Sequence, residues 1–136
     1  MHEVFEHTAD LGLRIRAASL ERLFEEAAAA MLALSVANLD AVAPAQSVPF
    51  ELSADCYEDL LRDWLAELNF TLGTRRLVCS RFAVQLNGTS LRATAWGEPL
   101  DPARHQLAME IKAVTYHGLK VERTEDGWLA EVIVDI

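Results

Sequence analysis

The sequence predicts a single α+β domain over residues 1–136, a sandwich in which two main helices pack on mostly antiparallel strands. A length of 136 residues suits one domain with its own core, and 51% of the residues are apolar, as in a folded chain. Two stretches place apolar residues at helical spacing, whereas most others alternate apolar with polar residues. Two hairpin turns, Asn87-Gly88 and Asp126-Gly127, predict antiparallel pairing of the strands beside them.

Two strands and a helix are expected first along the chain. Residues 11–17 alternate apolar and polar side chains, which predicts a half-buried strand. Residues 1–6 are its expected partner, with His7-Thr8-Ala9-Asp10 as the connection. Ser19 is expected to cap a helix whose apolar residues follow helical spacing from Leu20 to Leu34.

A third strand and a second helix follow. Residues 48–52 alternate and predict the strand. Asp55 and Glu58, three residues apart, predict a capping box at the start of the helix. An apolar stripe that includes Trp64 is expected to be buried, and Gly73 is a typical helix end.

The rest of the chain is mostly strand-like. Further strands are expected over residues 82–86, 91–95, 109–115, 119–123 and 128–134. Residues 97–105 are expected to form an irregular loop, because they are rich in proline and polar groups.

The charge is acidic and unevenly spread. Twelve basic and 21 acidic residues give a net charge of −9, which excludes a general nucleic-acid-coating role, since such binding neutralises phosphates. Residues 1–73 hold 13 acids and 4 bases, whereas residues 74–136 hold 8 of each. Asp59, Asp63 and Glu67 recur every four residues and are expected to share one exposed stripe of the second helix. That stripe is either a solvated face or a docking surface for a basic partner.

A cytoplasmic location is expected. No apolar run approaches the roughly 18 residues of a membrane span, and the first residues lack the basic charges of a signal peptide. Cys56 and Cys79 are too few for a zinc site or a disulfide framework and fit a reduced cytosol.

Common catalytic motifs are missing from the sequence, so no catalytic residue is assigned. It has no GxGxxG after a strand, no P-loop, no GxSxG, no HExxH and no paired CxxC. Cys56 stands at the expected start of a helix, where a thiolate would be stabilised, but no histidine lies near it in sequence.

The end of the chain is a candidate cation site. Asp135 is the penultimate residue of an otherwise apolar strand, so its carboxylate lies near the terminal carboxylate of Ile136. Two anions held together repel unless a cation or base lies between them, whereas a frayed terminus would simply be solvated. If Asp10 lay beside Asp135, the carboxylates would suit Ca²⁺ or Mg²⁺, but the sequence leaves their meeting open.

Five segments together resemble the archease family. They are FEHTADLGLRIRA, EDLLRDWLAELNF, GEPLDPARH, EIKAVTYHGLKVE and the closing VIVDI, which follow the family's order and cover nearly the whole chain. The resemblance implies an α+β sandwich and a small cytosolic protein that is not itself an enzyme. It implies an activator of the RtcB-type RNA ligase of tRNA splicing and RNA repair, which promotes guanylylation and multiple turnover of the ligase and broadens its nucleotide use.

The resemblance also implies a metal site and a partner. The matching metal ligands are Asp10, Asp135 and the last residue, Ile136. Calcium is the expected cation, with magnesium or manganese as alternatives. The ligase is the expected partner, RNA is contacted only indirectly through it, and no membrane is involved.

Five residues are weaker candidates for contacts with the partner: His7, Arg104, His105, Glu110 and Lys112. The family commonly has a Gly-Thr pair before the Glu-x-Lys of the fourth segment, whereas this chain departs from that pattern with Ala108-Met109. Lys112 matches the family's lysine, although an exposed lysine on an edge strand also discourages aggregation.

Two other functions are alternatives to ligase activation. A small metal-dependent hydrolase could use the same carboxylates, but hydrolysis needs a base beside the cation, and the sequence offers only His7. A general chaperone or adaptor would work through an exposed apolar patch, which the sequence does not reveal.

Overall fold

The computed structural model describes residues 1–7 and 10–136, with only the main chain of Glu6 and His7. In these residues the helices are α1 (Leu20–Ser35) and α2 (Tyr57–Gly73). The strands are β1 (His2–His7), β2 (Asp10–Ala17), β3 (Gln46–Ser53), β4 (Leu77–Asn87), β5 (Ser90–Pro99), β6 (Ala113–Val114), β7 (Lys120–Thr124) and β8 (Gly127–Asp135). The expected α+β architecture of two helices and mainly antiparallel strands is confirmed.

The strands form two sheets in which every described pairing is antiparallel. The larger sheet runs β1-β2-β8, and the far edge of β8 pairs with β7 along its first half and with β6 at its end. The smaller sheet runs β3-β5-β4, with the Asn87-Gly88 turn joining its last two strands as expected. Strand β8 is therefore central in the larger sheet, with neighbours on both sides.

The two helices lie between the sheets and form the core with them. Helix α1 contacts β2 and β8 of the larger sheet and β4 of the smaller one, and α2 likewise contacts strands of both. Trp64 of α2 is fully buried, donates its indole N–H to the Phe24 carbonyl at 3.0 Å, and meets the Phe50 ring edge-on. These contacts tie α2 to α1 and β3 at the centre of the domain.

Helix α1 forms as expected. The Ser19 Oγ accepts the Arg22 backbone N–H at 3.2 Å, and the side chains from Leu23 to Met31 on one face are buried. On its other side, Glu25 and Glu21 accept the backbone N–H groups of Val84 and Leu86, each at 2.9 Å. Their carboxylates satisfy donors on the outer edge of β4, which would otherwise be free to pair with another strand.

Two expectations about where elements begin and end differ from the structure. The capping box is wrong, because α2 begins at Tyr57 with Cys56 as its N-cap, so Asp55 stands one residue too early to cap it. The irregular loop starts later than expected, because β5 continues to Pro99 opposite Leu77. Gly97 permits this extension, since a Cβ there would clash with the main chain of Val78.

The strand expected over residues 109–115 is reduced to Ala113–Val114. The chain where this strand was expected to begin pairs with a helix and not with a sheet, because the backbone N–H groups of Ala108 and Met109 donate to the carbonyls of Ser35 and Leu34 in α1. The segment thus satisfies carbonyls at the end of α1, which have no partners within the helix.

No helix in the described part of the chain has the length and apolar character needed to span a membrane.

Candidate metal centre

The structure brings Asp10 and Asp135 together. Asp10 is the first residue of β2 and Asp135 the last of β8, and they are direct partners in the antiparallel register. Directly opposed residues in such a pair have Cα atoms roughly 4.5–5.5 Å apart and side chains on the same face. Both residues are half-buried. The fold therefore places Asp10 opposite Asp135, which the sequence alone left open.

Apolar alternation in the two strands sets this register. Leu13 and Ile15 are fully buried and face the helices, and they oppose the buried Val132 and Ala130 of β8. The alternate residues of each strand, Asp10 and Asp135 among them, then face the outer side of the sheet. A shift of one residue would move the carboxylates into the core and the apolar side chains into water.

The chain terminus is anchored beside Asp135. The Lys112 backbone N–H donates to the Asp135 carbonyl at 2.8 Å, and Ala113 is the register partner of Asp135 in β6. The Ile136 side chain is half-buried against the core. The end of the chain is therefore anchored to the fold and is not frayed. The terminal carboxylate belongs to the residue that directly follows Asp135.

These donors fit a hard divalent cation. Two aspartate carboxylates and a terminal carboxylate supply only oxygen ligands, which Ca²⁺ and Mg²⁺ prefer. Among the side chains that the structure describes, no group of three or more His, Cys, Asp and Glu forms a metal cluster. A cation held at this edge would take its remaining ligands from water, the main chain or a partner.

The connection HTAD lies partly outside the described residues. Thr8 and Ala9 are not described, and neither is the side chain of His7. The main chain of His7 is the register partner of Asp10 in β1, so this residue lies at the same end of the sheet. Glu110 and Lys112 are exposed on the segment that leads into β6, next to this edge.

Arg104 and His105 belong to a different cluster, centred on Glu98. The Arg104 guanidinium donates to both Glu98 oxygens, at 2.6 and 3.2 Å, and the Ala43 backbone N–H donates at 2.8 Å. His105 is only 2% exposed, and its Nε2 lies 3.2 Å from the Glu98 carboxylate. Its Nδ1 accepts the Asp101 backbone N–H, so Nε2 carries the proton that is donated to Glu98.

This cluster joins the loop that contains Arg104 and His105 to Glu98 of β5 and to Ala43. The hydrogen bonds from Arg104, Ala43 and His105 lower the pKa of Glu98 to about 2, so its carboxylate is charged at neutral pH. His105 is too buried to face a partner here, whereas about half of the Arg104 side chain is exposed. Glu98 could not be recognised from the sequence as the centre of this cluster. Its available signal was an acid six and seven residues before an arginine and a histidine.

Comparison with known proteins gives a consistent family. The model of the Archease protein family matches residues 2–136. The chain is 42% identical to a protein archease of Methanopyrus kandleri over 138 residues, which cover 98% of both chains. It is 38% identical to one from Pyrococcus abyssi over 139 residues, covering 98% of this chain and 97% of the relative.

Two solved structures share the fold. The solution structure of Methanobacterium thermoautotrophicum protein 1598 has a TM-score of 0.81 at 31% identity, covering 99% of this chain and 98% of that one. The crystal structure of an archease from Thermotoga maritima, described as a possible chaperone, has a TM-score of 0.70 at 26% identity. That likeness covers 100% of this chain and 98% of the other.

Proposed function

This chain belongs to the archease family, and we propose that it is a cation-binding activator of an RtcB-type RNA ligase. In this proposal it promotes guanylylation and multiple turnover of the ligase and catalyses no ligation itself. The observation that carries the proposal is the pairing of Asp10 with Asp135 beside the end of the chain. Two half-buried aspartates are direct partners on neighbouring strands, and the last residue of the chain follows the second of them.

Calcium is the proposed cation, with magnesium or manganese as alternatives. Asp10, Asp135 and the terminal carboxylate of Ile136 would hold it, and the bound ion would supply positive charge that lets these groups remain close together. The β2–β8 register, which pairs Asp10 with Asp135, and the half-buried Ile136 side chain support this proposal.

Activation would act on the conformation of the partner. A ligase must close around its nucleotide and metal to form the guanylate, and a protein that binds the closed state more tightly shifts the population toward it. A differential affinity of a few kcal/mol is enough for a large shift. RNA would be contacted through the ligase, because a net charge of −9 disfavours independent RNA binding.

The cytoplasm is the proposed compartment. Both cysteines, Cys56 and Cys79, are free thiols in the structure, which is usual for proteins of the reducing cytosol and supports this proposal. Burial raises the pKa of the Cys79 thiol to about 11, so it is protonated and unreactive at neutral pH.

A thermal-shift experiment tests the shared site. Calcium should raise the melting temperature of the parent protein, because an ion at 100 times its Kd adds about 2.7 kcal/mol to stability. Asp135→Asn and Asp10→Asn should each abolish this rise, since each removes one charged ligand. Asp126→Asn is the matched control, because it makes the same change at an exposed position at the other end of β8. An unchanged calcium shift in Asp135→Asn would contradict the shared site.

A further inference from the structure

Two side chains of α2 hold the chain that leads into β6. The Asn69 Nδ2 donates to the Ile111 carbonyl at 2.9 Å, and the Arg62 Nε donates to the Val114 carbonyl at 3.0 Å. Asn69 and Arg62 are seven residues apart, so they lie on one face of the helix, about 10.5 Å apart along its axis. Three residues of extended chain rise about 10 Å, so two donors at this spacing suit two carbonyls three residues apart.

The Arg62 guanidinium is itself held in place. It donates to the Asp63 carboxylate at 3.1 Å, and its central carbon lies 4.8 Å from the centre of the Tyr116 ring. Both contacts restrict the side chain and orient its Nε donor. The expected acidic stripe of α2 is therefore only partly free, since Asp59 and Asp63 are half-buried and Glu67 is exposed.

The same segment is bonded on its other side to the end of β8. The Lys112 backbone N–H donates to the Asp135 carbonyl at 2.8 Å, and the Thr115 backbone N–H donates to the Ile133 carbonyl at 3.0 Å. In the described part of the chain, β6 has two residues and pairs only with β8. A strand this short is held weakly by its own pairing, so the side chains of α2 add support on its free edge.

Asp135 thus has neighbours on two sides that are held in different ways. On one side it faces Asp10, and the β2–β8 register there extends over eight pairs of residues. On the other side it faces Ala113, and that pairing continues for only one further residue. The support from α2 therefore matters most for the side of Asp135 that faces β6.

We propose that Asn69 and Arg62 are positioning residues of the candidate metal centre, acting through the main chain of residues 111–115. They fix this segment, and the segment in turn fixes Asp135 and the terminal carboxylate that follows it. This inference rests on the proposed function. Donors that are already held in place lose less entropy when an ion binds, so the site binds the ion more tightly.

The fold itself depends less on these two hydrogen bonds. The side chains of Ile111 and Val114 are buried in the core, which keeps the segment on the molecule when either bond is lost. Removing Asn69 or Arg62 should therefore loosen the cation site more than it destabilises the protein.

Calcium titration of the intact protein tests the proposal. Asn69→Ala and Arg62→Met each remove one donor and should raise the calcium Kd about tenfold or more, as loss of a group that orients a metal ligand usually does. Arg62→Lys keeps a donor on a similar stem and should recover much of the affinity.

Asn38→Ala is the matched control. The Asn38 Nδ2 also donates to a main-chain carbonyl at 2.9 Å, that of Arg104, and its Oδ1 accepts the Gln106 backbone N–H at 2.7 Å. This variant should lower the melting temperature at least as much as Asn69→Ala does. Its calcium Kd should equal that of the parent, because the lost bonds do not hold the segment beside Asp135.

Amide hydrogen exchange without calcium measures the positioning independently of the ion. The backbone N–H groups of Lys112 and Thr115 should exchange faster in Asn69→Ala than in the parent, because the segment that carries them opens more readily. In Asn38→Ala both groups should exchange at the parent rate.

The outcomes separate this inference from the proposed function. Calcium binding to Asn69→Ala and Arg62→Met with the parent Kd would overturn the inference and leave the cation site standing. An equal loss of affinity in Asn38→Ala would make the effect a general one of stability, which also overturns it. A parent that does not bind calcium removes the cation site and its positioning residues together.

Discussion

Asp10 and Asp135 meet because each ends the alternation of its own strand. Leu11 to Ile15 and Ala130 to Val134 set which side chains enter the core, and the carboxylates follow on the outer face. Either strand alone predicts that face. Their register across 125 residues of sequence is a tertiary feature, which neither strand reveals.

An added residue after Ile136 should impair activation. It moves the terminal carboxylate away from Asp135, whereas the half-buried Ile136 side chain can stay in place, so the melting temperature without calcium should change little. Guanylylation of the ligase should fall strongly compared with the same addition before Met1. Equal activation by the two extended forms would remove the terminal carboxylate from the mechanism.

Glu98 gives the protein a specific pH dependence. Its pKa is lowered from 4.5 to about 2, chiefly by the Arg104 hydrogen bond and then by those from Ala43 and His105. A carboxyl with a lower pKa in the folded state stabilises the fold fully above its unfolded pKa. That contribution is lost as the pH falls from about 4.5 towards 2.

The variant Glu98→Gln should therefore be less stable than the parent at pH 7, and the gap should narrow as the pH falls from 4.5 towards 2. Urea unfolding at a series of pH values measures the gap. Glu51→Gln is the control, because its carboxylate forms an exposed ion pair with Arg92 that contributes little. A gap for Glu98→Gln that does not change with pH would contradict the assignment.

At the scale of elements, α1 does more than fill the core. Its first turns cover the outer edge of β4 through Glu21 and Glu25, and its last carbonyls accept the N–H groups of Ala108 and Met109. The sequence pattern of residues 109–115 predicts a strand over the whole segment, whereas only Ala113–Val114 forms one. The pattern could not predict a two-residue strand, since the competing acceptors come from a helix more than 70 residues earlier.

Replacing Glu25 with alanine should destabilise the fold. The Val84 backbone N–H, in a residue that is 5% exposed, would lose its acceptor, which costs about 1–3 kcal/mol. Glu26→Ala removes only the ion pairs with the exposed Arg22 side chain and the exposed amino group of Met1, so it should cost less than about 0.5 kcal/mol. The free energies of unfolding in urea decide this, and equal losses in the two variants would mean that the edge of β4 needs no cover.

Over the whole molecule, the fold class could be predicted and the functional surface only in part. Helical spacing and hairpin turns determine the elements, and the apolar stripe of α2 that includes Trp64 is buried as expected. Hydrogen bonds from Arg62 and Asn69 of α2 hold the chain around β6 against the helix, and the Lys112 backbone N–H joins it to Asp135. These contacts link segments that are distant in sequence, so composition and periodicity could not reveal them.

The central claim is that the cation site at Asp10 and Asp135 drives activation and does not merely aid docking. The most direct measurement is ligase guanylylation at a saturating concentration of Asp135→Asn, with complex formation measured in parallel and Asp126→Asn as the control. We expect Asp135→Asn to bind the ligase with nearly the parent affinity and to raise guanylylation little or not at all. Full activation by Asp135→Asn at saturation would contradict the claim.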